Sequence, residues 1–387
     1  MHFDLVIVGG GLAGLSLACA LRDSRLKIAL IETSPPPVRP AGWDARIYAI
    51  TPANAAFLSA IGAWKHLDPE RICAIHAMKV MGDDGARLDF SAYETGVSEL
   101  GWILESSLIS CELWESVKRQ SNVQLFFQES PGSLALQQDN AALSLSSGQT
   151  LTAALVVGAD GRDSWVRQAA GLSATSSAYD EMGVVANFAC KKPHRGVARQ
   201  WFRQDGVLAW LPLPGNRLSM VWSTPDKQAE ELLSLSGADL AVRVGEAGHG
   251  ELGALETITT AAAFPLRLMR VPQTVAPRVA LIGDAAHGIH PLSGHGINLG
   301  FQDARELSGL LAATQEWEDI GRLRLLHCYQ RARKEETFLM QTGTHALHRL
   351  FRETLPGAKT LRNIGMSLTN ALPVAKNILV RYAIGSL

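Results

Sequence analysis

Phe3-Asp4-Leu5-Val6-Ile7-Val8-Gly9-Gly10-Gly11-Leu12-Ala13-Gly14 opens a stretch that closes at Lys27-Ile28-Ala29-Leu30-Ile31-Glu32. Its first six residues form a short, β-branched apolar run suited to a strand buried on both faces. Leu12, Leu15, Ala18 and Leu21 then recur at helical spacing, and strand composition returns at Lys27. Strand, glycine loop, helix and second strand make a βαβ unit. Gly9 permits the tight turn, Gly11 lets the backbone approach a pyrophosphate, and Gly14 lets the helix pack on the strand. The helix N-terminus offers unsatisfied N–H groups and about half a positive charge to an anion. Glu32 stands eighteen residues after Gly14, close to the roughly 20 expected for a carboxylate that accepts hydrogen bonds from a ribose. A carboxylate there suits an unphosphorylated 2′-hydroxyl and repels a 2′-phosphate, which puts FAD or NAD ahead of NADP.

Three glycines alone can make a plain turn, with Glu32 a solvated strand end. The chain carries such a decoy in Gly248-His249-Gly250-Glu251-Leu252-Gly253, where β-type residues Leu255 to Thr260 follow instead of a helix. Context separates the two copies.

The 387 residues, 47% hydrophobic, can bury a large core and suit two domains or one with a large insert. A formal charge of −1 gives no reason to expect a nucleic-acid partner. Cys19, Cys73, Cys111, Cys190 and Cys328 are odd in number and scattered, which fits a reduced, cytoplasmic compartment. Met1-His2-Phe3-Asp4 lacks a basic signal-peptide start, and no uninterrupted apolar run reaches about 18 residues, so any membrane contact is expected to be peripheral.

Further along, Arg46 in Trp43-Asp44-Ala45-Arg46 precedes a helix-like segment from about Pro52 to Leu67; it can neutralise phosphate or pair with Asp44. Leu155-Val156-Val157 runs into Gly158-Ala159-Asp160-Gly161, a second strand-to-helix corner with Asp160 as N-cap. From Gly183 to Trp222 short strands alternate with turns, which predicts an antiparallel sheet. Trp201, Trp210 and Trp222 on it suit either a ring pocket or ordinary core. A third corner follows the strand Val279 to Ile282, at Gly283 and Asp284, with a loop through Pro291, Gly294, Gly296 and Asn298. Asp284 can bind ribitol or ribose hydroxyls, while Gly294 and Gly296 let the chain pass beneath a flat ring. His287, His290 and His295 match no metal-ligand spacing, so no metal is expected. His345 and His348 read as helix-surface residues. From Gln341 onward Arg349, Arg352, Lys359, Arg362, Lys376 and Arg381 stand against Glu353 alone, interleaved with Leu361, Ile364, Met366, Leu368, Leu372, Val374, Ile378 and Leu379. Such a tail suits a membrane surface or helices packed on the main body.

Taken in order, these corners resemble the three fingerprints of the class A FAD-dependent aromatic hydroxylases, the p-hydroxybenzoate hydroxylase fold. Asp44-Ala45-Arg46, the stretch from Trp201 to Trp222, and His290 to Gly300 resemble the ubiquinone-biosynthesis hydroxylases within that class. The resemblance implies an α/β fold: a Rossmann-like FAD-binding domain (1–74, 100–177 and 268–340), an inserted antiparallel-sheet substrate domain (75–99 and 178–267) and a C-terminal helical region (341–387). It implies an FAD-dependent monooxygenase that hydroxylates a polyprenylated ubiquinone precursor through a flavin C4a-hydroperoxide, with NADH or NADPH as transient reductant. Gly9, Gly11, Gly14, Glu32, Arg46, Asp160, Gly283, Asp284, Pro291, Gly294, Gly296 and Asn298 would hold or flank FAD. The implied partners are a polyprenylated phenol or quinol, other ubiquinone-biosynthesis proteins, a second copy of the chain, and the inner membrane surface. Two rival readings are a flavin-dependent isoprenoid reductase and an FAD-stabilised, non-catalytic assembly subunit. Two positions depart from the family: His295 replaces a usual Gln, and Glu105 an amide, both where flavin or substrate contacts are expected.

Overall fold

The computed structural model describes residues 1–82, 85–289, 294, 296–352 and positions 363, 365, 366, 369 and 370. In it the strand His2–Val8 lies inside an eight-stranded sheet, parallel to Thr150–Gly158 on one side and Ile28–Glu32 on the other. Val279–Leu281 and Val123–Phe127 extend the parallel part outward. Leu5 and Ile7 enter one apolar cluster with the helices Leu12–Ala20 and Gly296–Ala313, whereas Val6 and Val8 enter another on the opposite face. Burial on both faces explains why this strand reads as a continuous apolar run. Each fully buried Leu or Ile contributes about 1.5–3 kcal/mol relative to exposure.

A second, nine-stranded sheet orders His287–Gly288, Ala262–Arg270, Thr175–Cys190, Arg217–Pro225, Gly206–Leu213, Val197–Arg203, Ala77–Met81 and Arg87–Ser91, with the ninth strand, Leu255–Thr257, paired to the end of Thr175–Cys190. It is antiparallel as expected except at one seam, where Val197–Arg203 runs parallel to Ala77–Met81. Strands so far apart in sequence need no hairpin between them, which removes the usual reason for antiparallel pairing. The helices Asp226–Ser234 and Gly237–Ala247 cover one face of this sheet. A third, three-stranded sheet joins Ile47–Ile50, Gly101–Glu105 and Cys73–Ile75. The helix expected over 52–67 ends at Ala60, because Gly62 takes φ +80° and turns the chain.

The decoy glycines are packing residues. A Cβ on Gly248 would lie 2.1 Å from the Trp210 ring, and the strand Leu255–Thr257 follows them. Gln341, where the basic tail begins, lies within one long helix, Leu323–Arg352. Gln341, Thr344 and His348 form a buried polar stripe on that helix. His348 is therefore not a surface residue: its Nε2 lies 3.1 Å from Glu181 Oε2, and its ring meets Tyr179 edge-on. His345 is half-buried, with Nδ1 3.2 Å from the Tyr179 hydroxyl. Polar side chains fit this stripe because it meets backbone edges: Gln341 Nε2 donates to the Met269 and Gly288 carbonyls. Lys359, Arg362, Lys376, Arg381, Glu353 and the tail's Leu361, Ile364, Leu368, Leu372, Val374, Ile378 and Leu379 lie outside the described residues. Among the described residues no helix is long and apolar enough to cross a membrane.

Candidate active site

Val8 pairs with Gly158, and Gly158 with Leu281, so three adjacent parallel strands end in step. The chain therefore leaves the sheet side by side at Gly9, Ala159 and Ile282. This is the carboxyl edge at a switch in strand order, the place where open α/β sheets bind ligands. Gly9 has φ +111°, and a Cβ on it would lie 2.3 Å from the Ala159 carbonyl oxygen. A Cβ on Gly14 would lie 2.0 Å from the Gly9 carbonyl oxygen, so helix and loop touch through backbone. Gly11 faces open space, with nothing within 4 Å of such a Cβ. The helix Leu12–Ala20 has no side-chain cap and no acid in its first turn, which leaves its leading N–H groups to an anion.

Glu32 closes the loop from behind. Its Oε2 accepts from the Gly10 N–H at 2.6 Å and its Oε1 from the Ser34 N–H at 2.7 Å. Oε1 also accepts from the Thr33 hydroxyl at 3.2 Å, which leaves Oε2 with lone-pair capacity for a further donor. A Cβ on Gly10 would press on the Glu32 side chain at 3.0 Å, so a substitution there would push on the carboxylate that holds the loop.

Asp160 has a different occupation from a direct contact. Its Oδ1 accepts from the Ser164 hydroxyl and its Oδ2 from the Val166 N–H, while Ser164, not Asp160, is the N-cap of Trp165–Ala169. Ala159, Gly161 and Arg162 line the cavity beside it, and Asp160 does not. Gly283 (φ +60°) and the exposed Asp284 line the same cavity, and Arg162 approaches Asp284 at 3.8 Å. Gly294, Gly296 and Asn298 also line it. Asn298 spends its whole carboxamide on protein: Oδ1 accepts from the Thr51 N–H and Asn54 Nδ2, and Nδ2 donates to the Ala49 and Gly294 carbonyls. Pro291, His290 and His295 lie outside the described residues, and His287 is buried against Asp303.

Arg46 does not pair with Asp44. The Asp44 carboxylate accepts from the Arg46 and Ser107 backbone N–H groups, and the Arg46 guanidinium lies 5.5 Å from the Tyr48 ring centroid, lining the cavity. Burial pushes the Tyr48 phenol above its usual value, so it stays a neutral donor. Glu105 does not line the cavity. It is buried, accepting from Arg71 Nε and Nη2 at 2.6 Å each and from the Asp44 N–H at 2.6 Å. The acid at this departure therefore braces the Asp44–Arg46 corner. Arg71 also stacks over Trp43 at 4.0 Å. An Arg71→Lys variant keeps the charge but loses the fork and the stack. It is expected to lose about 1.5–3 kcal/mol of stability, measurable as a lowered midpoint in denaturant.

The cavity holds about 1070 Å³ and runs from the glycine corners to the face of the nine-stranded sheet opposite the helices Asp226–Ser234 and Gly237–Ala247. Its sheet side is formed by Val185, Ala198, Gln200, Val207, Ala209, Leu211, Val221 and Ser223. Trp201, Trp210 and Trp222 do not form a ring pocket. They belong to the opposite face, packed with Leu232, Leu240 and Val244 of the covering helices. Side chains alternate along a strand, so Ala209 and Leu211 turn to the cavity where Trp210 turns away.

A buried network under the third corner carried a signal that sequence reading missed. Asp303 interrupts the buried stripe Leu299, Asp303, Leu307 and Leu311 of the helix Gly296–Ala313, where an acid needs a partner. Its Oδ2 accepts from the Gly283 N–H at 2.9 Å and lies 2.6 Å from His287 Nε2, and its Oδ1 accepts from Arg333 Nε at 2.7 Å. Burial opposes both charges, yet His287 and Arg333 hold the Asp303 carboxyl below its usual value, and Asp303 holds the His287 imidazole above its own.

The anion-ready helix end, the backbone cradle at Gly9 and Gly14, and the adjoining cavity fit a dinucleotide with a flat ring. A model of the FAD binding domain family matches residues 2–337. The ubiquinone hydroxylase UbiL of Rhodospirillum rubrum is 32% identical over 99% of this chain and 90% of its own length. The 3-demethoxyubiquinol 3-hydroxylase of Escherichia coli is 31% identical over 99% and 98%. The solved structure of PqsL from Pseudomonas aeruginosa, described as a probable FAD-dependent monooxygenase, has the same fold, with a TM-score of 0.77 at 23% identity over 95% and 99% of the two chains. The chain belongs to the FAD-binding family of class A flavoprotein hydroxylases, within its ubiquinone-biosynthesis group.

Proposed function

We propose that this monooxygenase hydroxylates the aromatic ring of a polyprenylated ubiquinone precursor, with NADH or NADPH as the electron donor. The observation that carries the reading is one continuous cavity, with an anion-ready glycine corner at one end and an apolar sheet floor at the other. Gly9, Gly11 and Gly14 would let the pyrophosphate reach the helix N-terminus, and Glu32 and Asp284 would accept from ribose or ribitol hydroxyls. Arg46 would meet phosphate or the flavin edge. Gly294 and Gly296 would pass beneath the flat ring, Gly283 would flank FAD, Pro291 would lie near the flavin's reactive face, and Asn298 and Asp160 would hold those loops in shape. When bound, FAD supplies the electron transfer and oxygen activation that side chains cannot. The chain's own work is to orient the ring and exclude water. Arg46, Arg162 and Arg267 line the cavity and suit the phosphates of a visiting nicotinamide dinucleotide. Phe338, Leu339 and Leu347 are exposed on the long C-terminal helix, which supports a membrane-surface role for the basic tail.

The test is oxidation of NADH or NADPH by the FAD-loaded protein with a prenylated phenol, under air and without oxygen. A ring-hydroxylated product carrying one atom from O2, formed only in air, is expected. Product formed without oxygen would favour the isoprenoid reductase; tight FAD with no turnover of any prenylated ring would favour the assembly subunit.

A further inference from the structure

The central strands of the sheet floor are apolar at Val185, Ala198, Val207, Ala209, Leu211 and Val221 and polar at Gln200 and Ser223, while the strand Ala262–Arg270 adds the charged Arg267. Gln200 is only 6% exposed, and its carboxamide has no hydrogen-bond partner among the described residues. Its polar atoms are not sealed in the core but open into the cavity, where both a donor and an acceptor are left for a ligand. The strand register shows what lies beside it. Gln200 pairs with Ala209, Ala209 with Val221, and Val221 with Val185, all facing the cavity. Ala209 is small, so the long carboxamide has free space above a flat apolar row. Ser223 is different, because a short hydroxyl can turn onto the nearby backbone.

We propose that Gln200 is the specificity-determining contact for the ring hydroxyl of the substrate, its carboxamide oxygen accepting the phenolic O–H while Ala209, Val221 and Val185 support the ring's apolar face. The assignment rests on the prenylated-phenol reading above and adds the residue that recognises the phenol. A site built to hydrogen-bond a hydroxyl leaves its own polar group unpaired against an analogue that lacks one, and so discriminates strongly.

The experiment uses the full-length, FAD-loaded protein without reductant. Dissociation constants for 2-prenylphenol and its methyl ether, 2-prenylanisole, are read from the perturbation of the flavin absorption spectrum. The wild type is expected to prefer the phenol by roughly tenfold or more. In Gln200→Met, which keeps the volume, and in Gln200→Ala, the preference is expected to fall to within about threefold. FAD content should be unchanged and anisole affinity undiminished. A merely structural role would weaken both ligands together and leave their ratio intact. A ratio preserved in both variants, or absent in the wild type, overturns the assignment to Gln200. A wild type that retains FAD and binds neither ring overturns the prenylated-phenol reading itself, and the assignment with it.

Discussion

Gly14→Ala is expected to yield a protein that purifies without flavin. The added methyl carbon would stand 2.0 Å from the Gly9 carbonyl oxygen, a backbone atom that cannot rotate away. Either the helix Leu12–Ala20 moves off the sheet or the loop opens, and both displace the N–H groups aimed at the anion. Overpacking of this kind costs about 3 kcal/mol, which is on the order of a hundredfold in FAD affinity if it falls on the bound state. Gly11→Ala is the informative companion. Its Cβ meets nothing within 4 Å, and residue 11 has φ −74°, which alanine adopts without strain. The apo protein should therefore melt as the wild type does, while FAD binds more weakly because the methyl stands where the pyrophosphate approaches. Flavin absorbance after reconstitution, set beside the melting midpoint without flavin, separates the two effects. A Gly11→Ala protein that binds FAD normally would remove that residue from the cofactor site.

Asp303→Asn is expected to lower stability by about 3–5 kcal/mol, the usual consequence of removing one partner from a buried ion pair. The substitution keeps the shape and one acceptor oxygen but leaves Arg333 facing a neutral amide. The loss should depend on pH. The folded His287 value is raised, so its contribution is present in full below about 6.5, its usual value, and is lost as pH climbs through the raised value. The folded Asp303 value is depressed, so its contribution is present above about 3.9, its usual value, and is lost as pH falls through the depressed one. The gap between wild type and variant should therefore be widest from about pH 4 to 6.5 and narrow on the alkaline side as His287 deprotonates. Urea midpoints across that range test this; a gap that widens above pH 7 would contradict the pairing. Because the Gly283 N–H donates to Asp303, FAD retention should fall as well.

How much of this was legible in the chain depended on the range of the physics involved. The βαβ unit could be read because an apolar run, a tight turn and helical spacing are each set by residues within a few positions of one another. The same holds for Gly158 to Gly161 and for Gly283 with Asp284. The strand Ile47–Ile50 could not be read in this way. It is held by Gly101–Glu105, far along the chain, and its own short stretch before Pro52 passes for a loop. Glu105 looked like a cofactor contact for the same reason, since nothing local shows that Arg71 occupies it. Asp303 was the exception, an acid in an apolar stripe whose need for a partner could have been inferred.

Short-range patterning was enough for the fold class and for a dinucleotide ligand: glycines at the ends of buried parallel strands and an acid at the ribose distance permit few other arrangements. Which face of the second sheet lines the cavity, by contrast, was settled by packing. Alternation along a strand offers two faces with equal spacing, and the choice between them is made by helices that bury one. Those helices cover the tryptophans. That leaves aliphatic side chains, Ser223 and the Gln200 carboxamide of this sheet facing the cavity.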